Sequence, residues 1–114
     1  MALLRVGALP EASLAAAARF HAETLPRIAA ALAGADSHLV IVFEPADYTH
    51  RGWRLAAVQQ LARDHAPLRV NALAADDARA IAAAEAYLGA APGVTGQYLL
   101  LDGQGAEKVL SKTG

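Results

Sequence analysis

The sequence predicts an α/β domain built on a parallel sheet, and three observations lead there. His38-Leu-Val-Ile-Val-Phe43 is apolar without alternation, the mark of a strand buried on both faces. Segments of helical period alternate with such runs along the chain, in the order βαβαβαβ. The last two runs, beginning at Leu68 and at Val94, enclose an Ala-rich segment, and the whole fits the length of a strand–helix–strand unit.

Residues 3–6 read as a first short strand, ended by Gly7 and Pro10. Pro10, Glu11 and Ser13 suit the first turn of a long helix reaching Ala33. Leu14, Ala18, His21, Leu25, Ile28 and Leu32 mark its expected apolar face, and Pro26 predicts a kink by removing the hydrogen bond to Ala22. The central strand, residues 38–43, follows the turn at Gly34-Ala35-Asp36-Ser37. A second helix is expected from Thr49 or His50 to His65, with Leu55, Val58, Leu61 and Ala62 buried. Pro67 precedes a strand over residues 68–73, and Asp76-Asp77 opens a third helix that ends near Leu88. The last strand is expected over residues 97–102, followed by a tail from Gly103 that frays or docks on a neighbour.

Strand order 1-2-3-4 is the natural expectation for consecutive parallel strands. Three crossovers of one hand marching in one direction then place every helix on the same face. That leaves a half-covered sheet, or a three-layer one completed by another copy of the chain. Residues 1–114 are expected to form a single domain, with no linker or internal repeat.

Composition narrows the function classes. Net charge is −1, which gives no electrostatic case for nucleic acid or an anionic membrane. The absence of Cys excludes a thiolate metal site and a Cys nucleophile and fits a reducing cytoplasm, where the chain is expected to reside. No run approaches the ~18 apolar residues of a spanning helix. The four His show no metal-ligand spacing and read as surface or helix-end residues, so no metal is expected. Ala supplies 30 residues, which favours helices and close packing but a core of small area, for which association is a common remedy.

Arg69-Val70-Asn71 and the stretch Thr95-Gly96-Gln97 to Asp102-Gly103 resemble the closing strands of the short-chain dehydrogenase/reductase family. Leu25-Pro26 and Leu61-Ala62 are similar to pairs on the two helices that flank its central strand. The resemblance implies a truncated C-terminal half of a Rossmann-like fold, and a dimer in which residues 10–33 and 50–65 build a four-helix bundle across the axis. It also implies what a catalytic member carries: a glycine-rich turn for NAD(P), a Ser-Tyr-Lys set and a long substrate loop.

This sequence departs from the family at each of the three. Gly89, Gly93 and Gly96 follow a helix and precede a strand, the wrong order for a pyrophosphate turn. Counting back from Leu61-Ala62 puts Asp47 at the Tyr position and Arg51 at the Lys position; shifting by one puts Tyr48 in place but Gly52 where Lys belongs. The Ser position falls near Glu44, and Ala74-Ala75-Asp76 runs straight into the next helix where the substrate loop belongs. Tyr48 and Arg51 are the remaining catalytic candidates. Glu44, Asp47, Tyr48, Arg51 and Trp53, at the C-terminal edge of a central strand, are the ligand-binding candidates. The expected function is that of a non-catalytic oligomeric, regulatory or structural subunit without a cofactor, partnered by itself or by a full-length dehydrogenase paralogue. The alternative is a residual NAD(P)-dependent oxidoreductase, or a subunit of one, with a ligand site at that corner.

Overall fold

The computed structural model describes residues 2–101. Four strands, β1 (Ala2–Gly7), β2 (His38–Phe43), β3 (Arg69–Ala74) and β4 (Tyr98–Leu100), form one all-parallel sheet in the order β1-β2-β3-β4. The helices are α1 (Ser13–Arg19), α2 (Leu25–Ala33), α3 (Arg51–Asp64) and α4 (Ala78–Gly89). The order is as the sequence predicts. The tail from Gly103 and the expected end of the last strand at Asp102 lie outside the described residues.

β2 is buried at all six positions and splits its side chains between two cores. Leu39, Ile41 and Phe43 join Phe20, Ile28, Leu32, Val58, Leu61, Val70 and Tyr98 beneath α1, α2 and α3. Val40 and Val42 face the other way, with Leu73, Ala80, Ile81, Ala84 and Leu88. The second core belongs to α4, which lies on the opposite face from α2 and α3. The expectation that every helix shares one face is therefore corrected. Because all three crossovers advance in the same direction, the third has the opposite hand from the first two. The second face is not bare, since α4 covers β2 and β3 there.

Two motifs explain how that connection is held. Arg69 Nη1 donates to the carbonyls of Leu88 and Ala91, each at 2.9 Å, a cation placed on the C-terminal carbonyls of α4. Asn71 Nδ2 donates to Val94 O at 2.9 Å while its Oδ1 accepts Gln97 N–H at 3.0 Å. Thr95 Oγ1 accepts the Val70 N–H at 3.0 Å, and Gly96 sits at φ +73° with its N–H on Val70 O. A Cβ there would be strained by the backbone angle alone. The Arg-Val-Asn and Thr-Gly stretches thus clamp the α4–β4 loop onto β3.

The first crossover is one long helical passage in which a π-helical turn, Phe20–Thr24, joins α1 to α2. Leu25 N–H reaches back five residues to Phe20 O, and Pro26 stands at the start of α2. The wider turn accommodates the missing N–H of Pro26. It also shifts the buried face. Ala16, Phe20, Thr24, Ile28 and Leu32 point inward, whereas Leu14 is 86% exposed, so the expected stripe through Leu14, Ala18 and His21 is corrected.

Candidate functional site

The chain leaves β2 through Glu44-Pro45-Ala46 and turns into α3 over a 3₁₀ turn, Tyr48–His50. Asp47 caps that turn: its carboxylate accepts the Thr49 N–H at 3.0 Å and the Thr49 hydroxyl. These bonds hold its pKa below the ordinary carboxylate value. Tyr48 is 87% exposed, and Arg51 is exposed as well. The five expected ligand residues therefore divide. Glu44 and Asp47 line a cavity, Trp53 packs inward, and Tyr48 and Arg51 are not among the cavity's lining.

Trp53 meets Phe20 and Phe43 at ring-centroid distances of 5.3 and 5.7 Å. Its Nε1–H donates to His50 Nδ1 at 3.2 Å, and His50 Nε2 donates to Glu11 O at 2.7 Å. Those two bonds tie α3 to the start of the first helical passage. His50 is 4% exposed and stands at the start of α3, a helix-end position as expected but a buried one. His38 is likewise buried, with Asn71 Nδ2 at 3.0 Å from its Nε2.

Arg54 is the residue that sequence reasoning missed. It is 3% exposed, its guanidinium lies 4.4 Å from the Phe43 ring centroid, and Nη1 donates to Glu44 O and to the Tyr98 hydroxyl, each at 3.0 Å. Nε is buried without a partner. Helical phase carried the signal: Arg54 stands four residues before Val58 and seven before Leu61, on the same inward face. Beside it lies a cavity of about 210 Å³ bounded by Gly7, Pro10, Glu11, Glu44, Asp47 and His50 among others. A larger open cleft of about 580 Å³, with Arg5, Val42, Glu44 and Asp76 in its walls, adjoins it across Gly7, Glu44 and Pro45. Both sit at the C-terminal edge of the parallel strands, where open α/β sheets bind ligands.

Short chain dehydrogenase-like proteins match this sequence over residues 4–101. The chain belongs to that family. No curated protein and no solved structure matches it. In this short-chain dehydrogenase-like chain the matched residues take in all of β2, β3 and β4 and most of β1. Among the described residues, no group of three or more His, Asp or Glu is placed to hold a metal ion, and no helix is long and apolar enough to cross a membrane.

Proposed function

We propose that this is a non-catalytic short-chain dehydrogenase-like protein of the cytoplasm. It works as a structural or regulatory subunit, assembled with a second copy of itself or with a full-length dehydrogenase paralogue. One observation carries the reading, the entry to α3. Proton transfer on that helix calls for a Tyr with a Lys four residues on, aimed together at the substrate. Here Asp47 is engaged as a cap and Tyr48 is turned to solvent, with Gly52 four residues further on. A pyrophosphate is a poor fit to this edge, because acids outnumber cations in both walls, Glu11, Glu44 and Asp47 against Arg54 in the small cavity and Glu44 and Asp76 against Arg5 in the larger one. No cofactor is part of this reading.

The test is a purified sample given NADPH and a panel of carbonyl substrates, with Tyr48→Phe alongside. The expected outcome is no turnover in either, and no NAD(H) or NADP(H) binding tighter than about 1 mM by calorimetry. Turnover that disappears in Tyr48→Phe would refute the reading. The second reading, a residual oxidoreductase or a subunit of one with a ligand site at the Glu44–Trp53 corner, is favoured by the cavity beside the buried Arg54 guanidinium.

A further inference from the structure

We propose that the cavity between the ends of β1 and β2 and the first turn of α3 binds a small zwitterion. It would carry one carboxylate, seated on Arg54, and one ammonium group, directed to the acidic wall. This deepens the ligand-corner reading above and rests on it.

A buried arginine is normally matched by a carboxylate or by a full set of acceptors. Arg54 has neither among the described residues. Only Nη1 is satisfied, by two neutral oxygens, while Nε has no partner and Nη2 makes no hydrogen bond. Nε is closed off by its surroundings, so the atom open to an added carboxylate is Nη2, through a charge-assisted hydrogen bond. The Phe43 and Trp53 rings, 4.4 and 5.7 Å from the guanidinium carbon, hold that cation in place without neutralising it. The one ion pair among the described residues, Arg19 with Glu23, lies elsewhere.

The rest of the wall decides what accompanies the carboxylate. Glu11, Glu44 and Asp47 outnumber the single cation, so a phosphate or a dicarboxylate meets net repulsion and an ammonium group meets attraction. His50 has both ring nitrogens engaged, by Glu11 O and by the Trp53 indole, and so offers the ligand no further hydrogen bond. A volume of about 210 Å³ suits a molecule of amino-acid size and excludes a dinucleotide.

The experiment follows the arginine Nε–H signals of the ¹⁵N-labelled protein while L-alanine, acetate, inorganic phosphate or NADPH is added. L-Alanine is expected to move the Arg54 Nε–H saturably, with a Kd of about 1 mM. Acetate should bind ~10-fold more weakly for want of the ammonium group, and phosphate should give no saturable shift. Arg54→Lys, folded by circular dichroism, should lose the response of the surrounding amides, and Glu44→Gln should bring alanine down towards acetate. Acetate equal to alanine, or saturation by phosphate or NADPH alone, would overturn the zwitterion while leaving a ligand corner. Silence from all four probes would overturn both. The wild-type titration decides the matter even if Arg54→Lys does not fold.

Discussion

His38 and Asn71 meet where β2 and β3 run under the C-terminal end of α4, and their contact has a consequence in acid. Burial, followed by the nearby Arg69 charge, lowers the His38 pKa from 6.5 to about 4. The folded protein therefore holds the ring neutral while the unfolded chain protonates near 6.5. Stability from this residue should be complete above about pH 6.5, fall as pH drops towards 4, and level off below, with a ceiling of ~3 kcal/mol. Urea midpoints measured between pH 4 and 7 should show that slope, and His38→Leu should flatten it; an unchanged slope in the variant would count against the assignment. His50 makes a packing prediction instead. His50→Ala leaves Trp53 Nε1–H without its acceptor and frees Glu11 O, so a loss of about 2 kcal/mol in chemical denaturation is expected. These buried polar residues were poorly legible in the sequence, because a lone His reads as surface until its neighbours are known. Arg54 was legible in principle, through its phase on α3.

Elements were the most legible level. The unbroken apolar run of β2 and the turn pairs around β4 depend on local composition, and both strands lie where those signals put them. The first helical passage was legible in extent but not in phase, because one π-helical turn moves every later side chain around the axis. The side chosen by α4 was not legible either. An amphipathic helix records that it has an apolar face, not which side of the sheet receives it. α4 begins on a clear cap, with the Asp77 carboxylate accepting from Arg79 N–H at 3.4 Å and Ala80 N–H at 3.2 Å. Asp77→Ala should cost about 1 kcal/mol and raise hydrogen exchange in the first turn of α4 above that in α3.

At the scale of the whole molecule, burial of Val40, Val42 and Leu73 within one chain removes the bare sheet as a reason for oligomerisation. Val58 is also fully buried against the sheet, so it cannot serve as a seam between copies. The assembly we propose must use outward residues, of which Leu14 and Tyr48 are the most exposed large apolar ones among the described residues. Leu14→Glu should convert the assembly to an 11.8 kDa species in sedimentation equilibrium while keeping the wild-type far-UV circular dichroism, whereas an unaltered mass would exclude that surface. The change of side made by α4 bears on how the molecule comes apart. α4 reaches the sheet on a face no other described helix touches, held by one clamp of loop contacts and followed by a strand of three residues. It can therefore lift as a unit while β1, β2 and β3 stay paired beneath α2 and α3. Lifting would uncover Val40, Val42 and Leu73 together, a sticky surface that exists only in the opened form. Any self-association through that surface would be gated by undocking of α4: slow, steeply dependent on temperature, and suppressed by whatever tightens the Arg69 clamp.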